Sequence, residues 1–423
     1  MYPYNICMST NDSDSESDSK QLLYFIKQFD IPRFSHLSNI SKLMISQIVD
    51  KMKEAVQSWR GYKDIVLDTT SDFPKGNSYG HIVKEIREEF ENQPKIGKQY
   101  LFSIGSRNFT ICLICPFSAS ASAYRNKMYK RLDKMIYKMY VWLFVCNQFA
   151  SPACSPDITI YVYMTNHKKI LPEIDHIPLD QQHANTAFTF ACPLTSNEMY
   201  VFRSEEWFKV FIHESFHCFG LDFSTLPEEE TKKKMFSIFP IKCDLRFYET
   251  YTEIWAEIIN VIFISVNTYS CKENKINIDK LSKTIENHLY NEQVFSLFQC
   301  SKVLDHMGLK YRELYEMTSH AKKIRDEQYK ENTHVFSYYI LKSIIIFHYN
   351  EFLEWCSMYN KNSIQFVKTQ ENINHLFEFI KAKHNSADFL RTMDIFENWF
   401  RLLNIKGQPI QFALKTMRMS ISE

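Results

Sequence analysis

The pattern of hydrophobic and polar positions changes its period near residue 99. Over residues 45–56 the apolar positions recur every three to four residues, which predicts an amphipathic helix. Over 100–104 and 109–115, apolar and β-branched residues flank a turn that begins at Gly105, which predicts a β-hairpin. We therefore expect a helical N-terminal segment followed by the start of a sheet.

The elements predicted after this hairpin place a small sheet before a long helical region. They are a helix over about 121–147, strands over 158–164, 186–191 and 199–203, and helices over 204–220 and 247–266. Beyond residue 275 the pattern is that of amphipathic helices with few breakers. Strands followed by segregated helices are typical of the α+β class, which is the predicted fold class.

These changes of pattern divide the chain into five predicted parts. Residues 11–20 alternate serine with acidic residues and contain nothing to bury, so we expect a disordered tail over 1–20. The other parts are a helical N-terminal segment over 21–98, an α+β core over 99–270, a helical C-terminal domain over 271–405 and a C-terminal tail over 406–423.

Composition and charge exclude several classes of function. Only 8 of the 423 residues are glycine, and neither of the common glycine-rich nucleotide-binding motifs is present. The 50 basic and 49 acidic residues balance, so we expect neither a nucleic-acid partner nor a membrane partner. Basic residues do follow one face of the predicted helix over 124–140, and we interpret this as a solvated face.

The sequence favours an intracellular location. Its first residues are acidic and polar, unlike a secretory signal, and no apolar run approaches the roughly 20 residues that span a bilayer. The 11 cysteines are odd in number and follow no framework spacing, which favours free thiols in a reducing compartment. We therefore expect a soluble cytoplasmic protein.

The candidate chemistry lies in the predicted helix over 204–220, which contains H-E-x-x-H as His213-Glu214-x-x-His217. Two histidines four residues apart share one face of a helix and can hold one zinc ion, and the glutamate can act on a water beside it. The helix is apolar almost all round, so these polar side chains are costly to bury unless they are partnered. The alternative to a metal is a core helix whose histidines are satisfied by neighbouring carbonyl groups.

A catalytic zinc usually needs a third protein ligand, and several residues could supply it. The pattern H-E-x-x-H-x-x-G-x-x-[HD] would place that ligand at Phe223, which cannot bind a metal. Asp222, one residue earlier, is instead a candidate hydrogen-bond partner for a ligand histidine. A following helix offers Glu249, Glu253 and Glu257 at i, i+4 and i+8 on one face, and the residues alone leave all three open.

The H-E-x-x-H motif at 213–217, followed after a spacer of 35 residues by Glu253-x-x-Ala256-Glu257, resembles the gluzincin group of zinc metallopeptidases. The second helix of that group often reads E-x-x-A-[DN]. The resemblance implies a zincin-like core over 99–270 in which His213, His217 and Glu253 hold the zinc. Glu257 stands where the group has Asp or Asn, and this departure leaves Glu257 and Glu249 as alternative ligands.

The resemblance also implies an activity, hydrolysis of peptide bonds with Glu214 as the general base. Tyr251, His334 and Tyr338 are candidate donors to the oxyanion of the tetrahedral intermediate. The expected substrate is a protein or peptide segment in an extended conformation, paired with an edge strand formed by 186–191 or 199–203.

A second resemblance concerns the source of the chain. The glycine-poor composition, rich in Phe, Tyr, Ile, Asn and Lys, and the sequence of residues 183–190, HANTAFTF, resemble uncharacterised proteins of large nucleocytoplasmic DNA viruses. It implies a viral protein, and it adds an alternative to the enzyme: a zincin fold used as a structural or virion component with little turnover.

Overall fold

A six-stranded mixed sheet lies in the N-terminal half of the protein. The computed structural model describes residues 13–67, 73–117, 122–270, 277–402 and 408–422. The strands are β1 (Lys63–Leu67), β2 (Lys95–Ile104), β3 (Arg107–Pro116), β4 (Asp157–Tyr163), β5 (Ala187–Thr189) and β6 (Asn197–Val201). Their spatial order is β1-β2-β3-β4-β6-β5, with β3, β4 and β6 parallel and the other neighbours antiparallel.

The predicted hairpin is confirmed, because β2 and β3 pair in register with Phe102 opposite Phe109. The two strands considered as substrate-binding edges differ in position. β6 lies between β4 and β5, and β5 forms the edge. Of the two alternatives, the segment that contains β5 is therefore the one that leaves backbone groups open at the sheet edge.

Helices make up most of the remaining described chain, which confirms the α+β class. The α-helices are α1 (Ser13–Ile26), α2 (Asn39–Ser58), α3 (Lys84–Glu91), α4 (Ser122–Phe149), α5 (Gln181–Ala184), α6 (Trp207–Cys218), α7 (Glu229–Ile238), α8 (Phe247–Ser270), α9 (Ile278–Met307), α10 (Ser319–Gln328), α11 (Lys342–Phe347), α12 (Tyr349–Tyr359), α13 (Gln370–Lys383), α14 (Ala387–Arg401) and α15 (Gln408–Lys415). A π-helical turn, Phe336–Leu341, leads into α11.

The two faces of the sheet pack against different layers. Alternate residues of β3, such as Ile111 and Leu113, enter the main core beneath α4 and α6, whereas Ile114 joins a smaller cluster on the other face. The main core is continuous from α1 to the C-terminal residues, and Trp142 of α4 joins its layers by packing against Phe216 of α6. The four predicted parts from residue 21 onward therefore share one core.

The basic face of α4 is only partly solvated. Lys127, Lys130 and Lys134 are exposed, as predicted, but Lys138 is buried. Its ammonium lies 3.7 Å from the centroid of the Phe208 ring on α6. A cation over an aromatic face is stabilised by the ring quadrupole, so this lysine helps to join α4 to α6.

The predicted boundaries need correction in two places near the N-terminus. α1 begins at Ser13, so residues 13–20 are helical rather than part of a disordered tail, and residues 1–12 lie outside the described residues. The segment predicted to be helical also contains β1, which pairs with β2 along its whole length. Local periodicity missed β1 because both faces of this edge strand are largely exposed and its apolar residues do not alternate.

The predicted C-terminal tail is also corrected. α15 is followed by residues 416–422, here called the C-terminal segment, which run through the interior. The backbone N–H groups of Met419 and Ser420 donate to the Glu206 carboxylate at 2.9 and 2.6 Å, and that of Ile421 donates to Glu292 at 2.9 Å. Buried carboxylates thus satisfy backbone donors that the segment itself cannot pair.

Two cysteines depart from the expectation of free thiols. Cys154 and Cys192 form a disulfide between the loop after α4 and the loop after β5. The backbone N–H of Cys192 donates to the carbonyl of His217 at 3.1 Å, so the bridge holds a loop against the end of α6. Among the described residues, no helix is both long enough and apolar enough to cross a bilayer.

Candidate metal centre

Two facing helices, α6 and α8, position the candidate site. Every residue of α6 is buried, and the chain leaves the helix through Phe219 and Gly220, whose left-handed φ of +60° favours glycine. The carbonyl of Phe216 accepts the N–H of Leu221 at 2.8 Å, which completes this C-terminal cap. Because Lys209 contacts Glu253 while His217 contacts Glu249, α6 and α8 run antiparallel and present facing rows of basic and acidic residues.

Three ligand atoms converge between these helices. Nε2 of His213 lies 3.2 Å from Nε2 of His217. A carboxylate oxygen of Glu249 lies 3.1 Å from the first nitrogen and 3.3 Å from the second. All three residues are buried, and in the described part of the chain they are the one group of this kind that could hold a metal ion.

Two further carboxylates, those of Glu253 and Asp222, orient the two imidazole rings. Nδ1 of His213 lies 3.0 Å from Glu253, and Nδ1 of His217 hydrogen-bonds Asp222, as expected for that aspartate. With each Nδ1 engaged by an acceptor, each Nε2 can direct a lone pair to the space beside Glu249. Burial lowers the pKa of both histidines, but the neighbouring carboxylates outweigh it and raise the net pKa.

In the structure, the glutamate of α8 that lies beside the two histidines is one helical turn earlier than the resemblance predicts. Glu249, and not Glu253, lies beside the two Nε2 atoms. Glu253 lies behind His213, where its other oxygen forms an ion pair with Lys209. Glu257 is farther still, 2.5 Å from Nζ of Lys342. Glu253 and Glu257 are therefore partners of other side chains.

The ionisation of Glu253 is set by these partners. Burial raises the pKa of this carboxyl, but the charge of Lys209 and the hydrogen bond from His213 have the larger combined effect, and the net pKa lies well below its ordinary value. Glu253 is thus a buried carboxylate, which can only accept hydrogen bonds. Nδ1 of His213 must then be the donor.

Glu214 is the acidic residue without a partner in this region. It is buried, yet its carboxylate makes no hydrogen bond or ion pair with any described residue, unlike Asp222, Glu249 and Glu253. Burial raises the pKa of Glu214, while the nearby His213 and His217 lower it, with a net rise. An unpaired carboxyl at this depth needs a water molecule or a ligand as a partner.

The three candidate oxyanion donors lie in different places. The hydroxyl of Tyr251 donates to the carbonyl of Ile364 at 2.8 Å in the core, so the structure does not bring it together with the histidine pair. Tyr338 lies with its ring 6.0 Å from that of His213. The His334 ring lies 6.1 Å from that of Tyr338, and its Nδ1 lies 3.1 Å from the carbonyl oxygen of Asp244.

A π-helical turn presents Tyr338 to the site. In this turn the N–H of Lys342 bonds to the carbonyl of Ser337, five residues back. Thr250 of α8 donates to the same carbonyl at 3.3 Å, and Ser337 itself donates to the carbonyl of Arg246 at 2.9 Å. The turn is thereby attached to the end of α8 that carries Glu249, and wide turns of this kind are frequent at functional sites.

Sequence reasoning missed two side chains of this site. Lys209 precedes His213 by four residues and so shares its face of α6, a spacing that was visible in the sequence. Tyr248 lies with its ring 5.7 Å from that of His217, and nothing in its sequence context distinguishes it from the many packing tyrosines.

Comparison of the chain with protein-family models, with curated proteins and with solved structures gave no match.

Glu228 caps the helix that carries Glu249. One of its oxygens accepts the N–H groups of Phe247 and Tyr248 at 2.8 and 3.2 Å, at the first turn of α8. Burial raises the pKa of Glu228 from 4.5 to about 7, although these two hydrogen bonds lower it. The site helix therefore begins at a carboxyl group that titrates near neutral pH.

We expect Glu228 to make the stability of the protein fall as pH rises. The pKa of Glu228 is about 7 in the folded chain and 4.5 in the unfolded chain. Its contribution to the free energy of unfolding is therefore fully present below pH 4.5 and is lost as pH rises through 7. Relative to Glu228→Gln, which keeps the accepting oxygen, the wild type should lose roughly 3 kcal/mol of stability between pH 4.5 and pH 8. Thermal unfolding of both proteins across this range measures the difference.

Glu229→Gln is the matched control, because Glu229 is the next residue and is exposed. It should keep the pH dependence of the wild type. Equal pH dependence in the wild type and in Glu228→Gln would contradict the assignment.

Proposed function

We propose that the protein is a zinc-dependent metallopeptidase whose zinc ligands are His213, His217 and Glu249. The observation that carries the proposal is the convergence of two imidazole nitrogens and a carboxylate oxygen, 3.1 to 3.3 Å apart. Ligand atoms at 2.0–2.2 Å from one tetrahedral zinc ion lie about 3.3–3.6 Å from one another, so this donor set suits zinc. Two histidines and a glutamate are also a common ligand set of catalytic zinc.

The arrangement supports a zincin-like core in which the third zinc ligand lies one helical turn earlier on α8 than in the gluzincin pattern. The α6 motif H-E-x-x-H is followed by α8, where Glu249 takes the third-ligand position and Glu253 the following acidic position. Both positions lie one turn earlier than the resemblance to gluzincins implies. Asp222 and Glu253 would orient the ligand histidines from behind.

Glu214 would be the general base. A zinc ion bound beside it would act as a Lewis acid that activates water for attack on a peptide carbonyl. The carboxylate of Glu214 would accept a proton from that water and deliver it to the leaving amine nitrogen. Burial raises the pKa of Glu214, so this carboxyl can hold the proton between the two transfers.

Tyr338 would donate a hydrogen bond to the oxyanion. Burial and the negative charges of Glu249 and Glu214 raise its pKa well above the ordinary value, so the hydroxyl keeps its proton. A fixed donor in a site shielded from water stabilises developing negative charge more than solvent does. Tyr338 is held beside His213 by the π-helical turn.

The substrate would be a peptide in an extended conformation. β5 forms one of the two edges of the sheet and packs beside α6, so its backbone groups can pair with an added strand. Two large apolar side chains follow this strand on the surface, Phe190 and Leu194, which are 46% and 75% exposed. They would contact apolar side chains of the bound peptide.

The test is metal removal. The purified protein should contain stoichiometric zinc and cleave members of a peptide library, a chelator should abolish cleavage, and added zinc should restore it. His217→Ala, purified in the same way, is the control for a contaminating peptidase and should lack both zinc and cleavage.

The outcomes separate the alternatives. Zinc without cleavage would support a structural or virion component that keeps the metal for stability. Absence of zinc from the folded wild type would overturn the metal site.

A further inference from the structure

The face of α6 that carries the two histidines also carries a buried lysine. Lys209 lies one turn before His213, and its side chain is 2% exposed. Burying an ammonium group costs several kcal/mol before pairing, and an apolar side chain would fill this position in an otherwise apolar helix without that cost. The lysine is therefore expected to have a role beyond packing.

The contacts of Lys209 lead directly to the candidate metal centre. Its ammonium forms an ion pair with one oxygen of Glu253, and the other oxygen lies 3.0 Å from Nδ1 of His213. Glu253 is 1% exposed, so water cannot replace either partner. The carboxylate is thus fixed at both oxygens, by a cation on one side and by a candidate ligand on the other.

The C-terminal segment closes the space behind the lysine. The sulfur of Met419 lies 4.0 Å from the Lys209 ammonium. Met419 is anchored because its N–H donates to Glu206, which is itself buried and paired with Lys169. Lys209 therefore has no path to solvent and remains on Glu253.

We propose that Lys209 is a positioning residue of the metal centre, acting through Glu253 to hold the His213 ring with Nε2 directed at Glu249 and His217. This inference rests on the proposed zinc site. Without Lys209, Glu253 would be a buried charge with a single hydrogen bond, and it would lower that cost by rotating away from His213. This change would release the orientation of the His213 ring.

A second buried ion pair, between Lys342 and Glu257 of α8, offers a matched control. Lys342 of α11 is also 2% exposed and pairs with Glu257, one turn beyond Glu253 on α8. It contacts the same C-terminal residue, since it donates to the carbonyl of Met419 at 2.6 Å. Glu257 contacts neither histidine, so loss of Lys342 should affect stability without affecting the site.

The experiment compares Lys209→Met with Lys342→Met in the full chain. Zinc affinity is measured by competition with a chromophoric chelator, and thermal unfolding of the metal-free proteins is measured in parallel. Loss of a partner that orients a metal ligand typically costs 10–100-fold in affinity, so we expect about that loss for Lys209→Met. Lys342→Met should bind zinc as tightly as the wild type, even if both variants unfold at lower temperature.

A double variant tests whether Lys209 acts through Glu253. The affinity of Lys209→Met/Glu253→Gln should equal that of Glu253→Gln alone, because the two residues act on the same ring. Should Lys209→Met not fold, Lys209→Gln keeps a neutral donor and should show a smaller loss. Wild-type affinity in Lys209→Met and Lys209→Gln, or equal losses in the Lys209 and Lys342 variants, would overturn the inference while leaving the zinc site intact. A wild type that binds no zinc would overturn the proposed function first.

Discussion

Replacing Glu214 with glutamine is expected to lower the rate of peptide hydrolysis by about 10²–10⁴-fold while zinc remains bound. Glutamine has nearly the same shape but cannot take a proton from water. Glu214 forms no hydrogen bond or ion pair with any described residue, so its loss leaves the contacts of His213, His217 and Glu249 unchanged. Cleavage kinetics on a peptide selected from a library, together with zinc content, measure the two effects separately.

The adjacent residue offers a control for the Glu214 variant. Ser215 is buried on the same helix and donates to the carbonyl of Phe211 at 2.7 Å, away from the candidate ligands. Ser215→Ala should keep both zinc and activity. A Glu214→Gln protein with wild-type kinetics would exclude the proposed base, and loss of zinc from it would show that Glu214 acts in binding the metal.

The elements that hold the site could be predicted because their signals are local. Residues 213 and 217 share a face by helix geometry alone, and Gly220 marks the end of α6 because a left-handed cap favours glycine. The hairpin of β2 and β3 was visible in the change of period and in its turn. Each of these inferences depends on a few consecutive residues.

The identity of the third ligand could not be predicted in the same way. Glu249, Glu253 and Glu257 share one face of α8, so periodicity treats them alike. The choice depends on how far α8 slides along α6, which is set by long-range contacts such as Glu228 at the first turn of α8. The row Lys209, His213 and His217 was a usable signal, because it repeats the same spacing, and in antiparallel helices its members meet Glu253 and Glu249 in reverse order.

Other errors have the same cause. The side chain of Tyr251 lies near the site in sequence but points to Ile364, more than 100 residues later. The C-terminal segment looks polar and short, yet buried carboxylates on distant helices bind its backbone. The disulfide joins two cysteines with a sequence separation of 38, and neither has a local signal of pairing. Such features depend on tertiary contacts that one sequence does not reveal.

Replacing each of the three glutamates of α8 with glutamine should produce a graded loss of zinc affinity. Glu249→Gln removes a charged ligand and should cost more than about 100-fold, beyond the range typical of residues that only orient a ligand. Glu253→Gln should cost about 10–100-fold, because it contacts His213 at Nδ1 and lies behind the ring. Glu257→Gln should leave affinity unchanged, since Glu257 pairs with Lys342. Competition with a chromophoric chelator measures all three.

The order of the three losses is more informative than any single value. Each substitution replaces a buried carboxyl group on the same helix, so a general loss of stability would reduce zinc binding in all three variants alike. A larger loss for Glu253→Gln than for Glu249→Gln would support Glu253 as the third ligand, as the resemblance to gluzincins implies. The largest loss for Glu257→Gln would exclude both Glu249 and Glu253 as the third ligand, because its carboxylate could then reach the histidines only if α8 moved along α6 by two turns.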